Sequence, residues 1–408
     1  MSQKFKTFII QIVVVNDGIC SKMTLNRKKS GEVYIQGEDE GILIEKIASE
    51  NVAEMLNEWY SMIVQHNVKK AVEIKNEIEQ TLPFMEENQN LVIYFTLLDF
   101  RHKMMIRNIH DLKDDLNYFE EQNINQTDTI IEYYYYFFAG QYNFYNRNFM
   151  QAIKNYELAE NKLKLVSDPI EEAEFHYHLG QAYYRIEQHF LSLNHAKKAL
   201  KIFGEFENYL EKELNSEMLL AANLVDLCHY DKAYSYYYTA LKKAEEGNFK
   251  LSIALANFNL GLCYQRQMTY DLSITHFEEA LKISEYSESS RGVRGIYELV
   301  YTLYKAKRNK EGHQLLLSGM ERAKREEQKE ALTKFKVIHA CYELQSVPII
   351  ISLLDELGKF QLWTDVVELS YEIGVVFEER GNYEGAMKFY KKAVQTKTEV
   401  HKMSEVII

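Results

Sequence analysis

An all-α fold is predicted, a small N-terminal helical bundle followed by a right-handed solenoid of stacked helix pairs. Three observations predict it. Only 3 of 408 residues are Pro and 17 are Gly, while 46% are hydrophobic, so helices can run unbroken around a sizeable core. From about residue 45 the apolar side chains recur at helical spacing. A small residue followed at fixed offsets by an aromatic and an alanine then returns along most of the chain.

The first 42 residues stand apart from this pattern. FIIQIVVV (8–15) follows Lys4 and Lys6 but is too short to span a bilayer, and no Ala-x-Ala cleavage pattern follows it. TLNRKKSGEVYIQGEDEG (24–41) is polar and Gly-bearing and reads as a linker, so 1–42 is expected to be a poorly ordered extension. In ENVAEMLNEWYSMIV, Val52, Met55, Leu56, Trp59, Met62 and Ile63 form one apolar stripe, the mark of an amphipathic helix. VKKAVEIKNEIEQTL supplies a second helix. Pro83 should end or kink it, because the ring removes an N–H and crowds the preceding turn. A third helix opens near Asn90 and carries Leu91, Phe95 and Leu98. Short connections favour antiparallel neighbours, giving a three-helix bundle over 43–110 and a linker over 111–130.

The repeats fill 131–402. Their small positions 140, 180, 221, 261 and 300 are spaced by 40, 41, 40 and 39 residues, and a last copy is centred on Gly374. One further weak helix pair must occupy 331–358 to keep that rhythm. The pattern resembles the tetratricopeptide repeat, slightly long for its usual period. A small residue on the first helix lets the second approach closely, an aromatic fills the gap toward the next pair, and stacked neighbours share one core. Asp168-Pro169-Ile170-Glu171 reads as a helix start and Gly381-Asn382 as an inter-helix turn.

The formal charge is 48 − 60 = −12, and there is no long basic run, which argues against nucleic acid as a direct partner. Cys20, Cys228, Cys263 and Cys341 are scattered, with neither zinc-ligand nor disulfide spacing, a usage that fits a reducing cytoplasm. His176 and His178 lie two apart, about 200° around a helix, and cannot chelate together from one face. No phosphate-binding glycine loop, HExxH or GxSxG motif is present, so kinase, dehydrogenase, metalloprotease and serine hydrolase chemistry lose their support. The solenoid itself points to peptide or protein binding on a concave face.

NEWYSMI (57–63), MEENQN (85–90) and YFTLLDFRHKMM (94–105) resemble the signature of the Rap family of bacilli. YYYYFFAGQYNF (133–144), VSDPIEEAEFHYHLGQAYYRIEQ (166–188), HYDKA (229–233) and the Asn259 helix extend the likeness over roughly residues 50–400. The resemblance implies a cytoplasmic regulator with a bundle that meets a response regulator and a repeat domain that takes a short, re-imported Phr-type peptide as inhibitor. Many members strip phosphate from an aspartate of a sporulation-phosphorelay response regulator.

By that resemblance Gln89 is the residue inserted into the regulator's active site. An aspartyl phosphate is already labile, so an amide that orients one water in line can speed its hydrolysis without acting as a strong base. The partner would bring the aspartate and Mg²⁺, leaving this chain with no cofactor or metal site of its own. Asn88 and Asn90 stand where the family commonly has acids, and Pro83 is a further departure. Glu87, Asn88 and Phe100 are the expected regulator contacts, although Phe100, like Phe95 and Leu98, also suits the bundle core. Arg101 and His102 read as a surface ion-pairing face. Asn223 and Asn259 match family asparagines that grip a peptide main chain, a task suited to an amide's paired donor and acceptor. Asn259 could equally tie adjacent helices together. The cluster Tyr133–Tyr136 covers more than one helix face and reads as packing between bundle and solenoid rather than ligand stacking.

Two other functions compete. One is a non-catalytic antagonist that sequesters a DNA-binding response regulator under peptide control. The other, a peptide-sensing transcription factor, needs an N-terminal helix-turn-helix, for which 1–42 is too short and too strand-like.

Overall fold

A computed structural model describes residues 46–106, Leu112, Leu116 and 129–404, with side chains to 398, together with the backbone of four short strands between 12 and 43. The chain divides into two compact units, Met1–Phe138 and Ala139–Ile408.

In the first unit, β1 (Ile12–Asn16), β2 (Ile19–Arg27), β3 (Val33–Gln36) and β4 (Ile42–Leu43) pair in sequence order as an antiparallel meander. Residues 24–41 are therefore not a plain linker, since Thr24–Arg27 pair with Val33–Gln36. The β-branched and aromatic residues Thr24, Val33, Tyr34 and Ile35 favour a pleated surface and outweigh the polar composition. β1 and β2 close on the pair Asn16–Ile19, and the sequence between them is Asp-Gly, a strong signal for a two-residue hairpin.

The bundle follows as α1 (Ser49–Val64), α2 (Val68–Thr81) and α3 (Gln89–Ile106). The predicted stripe of α1 is its core, with Val52, Leu56, Trp59 and Ile63 fully buried. Asn67 caps α2 by accepting from the Lys70 amide at 3.2 Å. Lys75 of α2 reaches Asp99 of α3 at 2.6 Å, and Lys103 holds the same carboxylate at 3.0 Å. Arg101 and His102, expected at the surface, are instead 4% and 1% exposed. The Trp59 indole N–H donates to His102 Nδ1 at 3.0 Å, which gives the imidazole a reason to lie inside. The stretch 111–130, read as a linker, lies largely outside the described residues.

Helix α4 (Thr129–Tyr145) carries the division between the units. Its first residues, read as the start of the repeats, pack into the first unit. Tyr134 lies 5.4 Å from Tyr60 and 5.2 Å from Tyr94, ring centre to ring centre. Tyr133 and Tyr134 of the cluster are buried, and these contacts of Tyr134 lie within the first unit.

The second unit continues as antiparallel helix pairs. α5 (Phe149–Leu163) completes the first pair; α6 (Pro169–Arg185) and α7 (His189–Phe203) form the next, then α8 (Leu210–Asp226) and α9 (Tyr230–Glu246). α10 (Lys250–Arg266) and α11 (Tyr270–Leu281) follow, and a single turn, α12 (Ser284–Ser287), precedes α13 (Ser290–Lys305) and α14 (Asn309–Arg325). α15 (Lys329–His339) and α16 (Val347–Lys359) are the weak pair the spacing requires, and α17 (Trp363–Glu379) with α18 (Tyr383–Ser404) closes the series.

The repeat is written into the backbone. Seven residues after each small position, at Arg147, Glu187, Cys228, Met268, Lys307 and Gly381, the chain turns through positive φ to start the second helix. The close approach is real as well. A Cβ on Gly140 would stand 2.4 Å from the Tyr156 ring, and one on Gly261 would stand 2.6 Å from Phe277. In both cases the aromatic lies sixteen residues on, as it does for Gly374 and Tyr390, whereas Gly180 meets Ala196 at the same offset.

Ion pairs link the first repeats to the last within this unit. Arg147 grips both oxygens of Glu330 at 2.8 and 2.5 Å and donates to the Phe360 carbonyl at 2.9 Å, while Lys397 pairs with Glu187.

Buried imidazoles set a pH limit. His176 and His195 face each other with Nδ1 atoms 3.0 Å apart, so one donates, the other accepts, and the two rings are not charged together. Burial, then the neighbouring positive groups, hold His176 at about 3 and His195 at about 4. Burial and the Lys75 ammonium likewise hold His102 at about 4. Each folded-state value lies below the ordinary 6.5, so the unfolded chain binds these protons first. The stability these neutral rings contribute is complete above pH 6.5 and is lost as pH falls toward 4. Urea melts between pH 7 and 4 should show each unit weakening, by on the order of 3 kcal/mol for a single buried ring. Flat stability over that range would contradict the buried neutral pair.

Candidate functional site

The knuckle between α2 and α3 is built from both sides. Upstream, α2 stops at Thr81 and the chain takes a 3₁₀ turn over Leu82–Phe84 with Pro83 inside it, as a missing N–H and fixed φ require. The residue just past that turn, Met85, forms a one-residue parallel bridge with Ile47, ahead of α1. The Ile47 N–H donates to the Phe84 carbonyl and the Glu86 N–H to the Ile47 carbonyl, both at 2.9 Å. Downstream, the half-buried Asn88 caps α3, its Oδ1 accepting from the Leu91 amide at 3.2 Å.

Gln89 is therefore the first residue of an 18-residue helix, and it is exposed, as are its neighbours Glu87 and Asn90. Its amide is presented to solvent from a backbone fixed on both sides. Phe100, which the sequence offered both as a regulator contact and as bundle core, is 2% exposed and belongs to the core. Six of α3's residues between Leu97 and Met104 are buried, because neighbours cover more than one face of the helix. The partly exposed rings on this helix are Tyr94 and Phe95, the latter 5.5 Å from Trp59.

In the second unit a cleft of about 520 Å³ opens on the inner walls of the repeats. Asn259 lies on its wall, half-buried, and makes no side-chain hydrogen bond among the described residues, which leaves its donor and acceptor available. Asn223 is not available. It is fully buried, its Nδ2 donates to Ser192 Oγ at 2.8 Å and to the Leu219 carbonyl at 2.9 Å, and its Oδ1 meets His189 Nδ1 at 3.2 Å. Asn223 thus ties α7 to α8, while the imidazole it orients, His189, lines the cleft.

The cleft is acidic. Glu187, Asp226, Glu298, Asp365, Glu368 and Glu372 outnumber Arg185, Arg266 and Arg294. Arg266 crosses to Glu368 at 2.5 Å, and Lys305 and Tyr301 both reach Glu372. Burial still pushes the Glu298 and Glu368 carboxyls above their ordinary range, so a further cation would be welcome there. Sequence reading missed this lining, although it carried a signal: Arg185, Asp226 and Arg266 each follow a small repeat position by five residues.

Among the described residues, no three His, Cys, Asp or Glu side chains are grouped to hold a metal ion, and no helix is long and apolar enough to cross a membrane.

The N-terminal family description of response regulator aspartate phosphatase H matches residues 46–107, the knuckle included. Response regulator aspartate phosphatase I of Bacillus subtilis (strain 168) is 32% identical over 365 residues, which cover 88% of this chain and 93% of that protein. The chain belongs to the Rap family. A crystal structure of a Rap protein complexed with competence and sporulation factor has TM-score 0.80 at 32% identity, over 87% of this chain and 99% of that one. Regulatory protein RapG of the same bacterium is 29% identical and is matched over its whole length, with 89% of this chain covered. The Rap bundle in this chain is thus the part that carries Gln89, and the Rap repeat unit is the part that carries the acidic cleft.

Proposed function

We propose that the chain is a cytoplasmic response regulator aspartate phosphatase that is inhibited by a short Phr-type peptide. The single observation that carries the catalytic half is the solvent-exposed amide of Gln89 on a knuckle fixed by a backbone bridge and a helix cap. Such a group can enter a partner's active site and orient a water in line with its phosphoryl group, while the partner supplies the aspartate and Mg²⁺. The N-terminus of α3 adds positive potential on the side where the phosphoryl oxygens would lie. Glu87 and the exposed part of Asn88 are the regulator contacts next to it.

The acidic cleft supports the regulatory half. Asn259 can pair with an extended peptide unit, and the excess of carboxylates favours a peptide with a Lys or Arg. That peptide shifts the protein toward its inactive arrangement only by binding that arrangement more tightly. In a phosphate-release assay against a panel of aspartyl-phosphorylated regulators, one should lose phosphate rapidly, and a cognate basic peptide should suppress the loss.

A second reading, sequestration without hydrolysis, is favoured by one specific feature: Asn88 and Asn90 replace the acids common beside the family glutamine. It is distinguished by a lowered occupancy of DNA by the regulator with an unchanged phosphate lifetime.

A further inference from the structure

We infer that Ile47 is a positioning residue for Gln89, acting through its backbone alone. The inference rests on the phosphatase reading of the knuckle and adds to it the part that holds the amide still.

Between the end of α2 at Thr81 and the start of α3 at Gln89, the knuckle has few bonds of its own. The Met85 amide closes the 3₁₀ turn onto the Leu82 carbonyl at 3.2 Å, and Asn88 caps α3. The remaining restraint comes from a segment that belongs to neither helix. Ile47 offers both its N–H and its C=O to the knuckle, to Phe84 and from Glu86, each at 2.9 Å. These bonds fix residues 84–86, the cap fixes 88–91, and only Glu87 lies between the two restraints. The side chain of Gln89 can therefore stand in solvent while its Cα is held on both sides.

Placement matters for this chemistry more than for most. An amide that orients water contributes through geometry, and a displacement of about 1 Å can cost up to about a hundredfold in rate. The bridge needs no particular side chain at 47, only a peptide N–H and C=O in an extended conformation. Proline removes the donor. It lies two residues ahead of α1, where a missing N–H does not interrupt the helix.

The test uses the full chain as wild type, Ile47→Pro, Ile47→Ala and Gln89→Ala, with an aspartyl-phosphorylated phosphorelay regulator as substrate. Ile47→Pro should lower kcat about tenfold or more with KM, melting temperature and peptide inhibition unchanged, and Ile47→Ala should match wild type. Wild-type kcat in Ile47→Pro alongside an inactive Gln89→Ala would overturn the positioning role and leave the phosphatase reading standing. A fall in melting temperature or a rise in KM that accompanies the loss of kcat would reduce Ile47 to a structural role and also overturn it. Full activity in Gln89→Ala would remove both.

Discussion

Replacing Gln89 with alanine should return the lifetime of the regulator's aspartyl phosphate to that of the regulator alone, a fall in kcat of about a hundredfold or more. The magnitude follows from the role. One positioned hydrogen-bonding group that acts on the transition state is typically worth about 10²–10³ in rate. The side chain is exposed at the first position of α3, so its loss should leave stability within about 0.5 kcal/mol of wild type. Binding should also survive, because Glu87, Asn88 and the bundle surface remain. Labelled-phosphate release and regulator affinity, measured on the same preparation, separate the two effects. If the variant hydrolyses the phosphate as fast as wild type, the amide does not place the water. If binding and hydrolysis vanish together, Gln89 is a docking residue. The expected split, binding kept and turnover lost, belongs to a catalytic group alone.

How far the sequence disclosed this arrangement depends on the range of each interaction. The stripe Val52, Leu56, Trp59 and Ile63 is local, since helical periodicity places four side chains on one face before any partner is known. The repeat is also legible, because the small position meets its partner sixteen residues on, a ring at Gly140, Gly261 and Gly374, and each turn follows the small position by seven. The cleft is another matter. Arg266 and Glu368 meet across 102 residues, a distance set by how the helix pairs stack, which no local pattern encodes. Asn223 shows the same limit from the other side. Its residue type suited a ligand, but its neighbour Ser192, 31 positions away, already takes the amide. His102 looked like a surface residue, and Phe100 stayed open between contact and core, because a face of α3 can be assigned only when every neighbour is known, and Trp59, 43 residues before His102, supplies the partner that draws it inward. At the N-terminus the strand-like character of 1–42 was legible, but over 24–41 polar composition hid the pairing of Thr24–Arg27 with Val33–Gln36, which depends on alternation and turn chemistry more than on mean hydropathy.

The largest expected loss of stability is Trp59→Ala in the bundle. The indole is fully buried, its ring lies against Phe95, and its N–H is the donor to a histidine that is 1% exposed. Truncation leaves a cavity that costs about 3–5 kcal/mol, and the stranded His102 acceptor adds roughly 1–3 more. A small helical bundle has little more than that in reserve. The first unit should therefore unfold in the variant at much lower denaturant than the repeats, giving two separate transitions. The chain's two tryptophans make this measurable: Trp59 reports on the bundle and Trp363 on the last repeats, so fluorescence in the variant follows the second unit only. Circular dichroism should lose helix at low denaturant before the Trp363 signal changes. Phosphatase activity should vanish, but a basic peptide should still bind, because Asn259 and the acidic cleft lie within the second unit. A variant that shows a single transition and keeps full turnover would mean that the buried Trp59–His102 bond does not hold the bundle together. A variant that loses peptide binding as well would mean that the repeats depend on the bundle for their own fold.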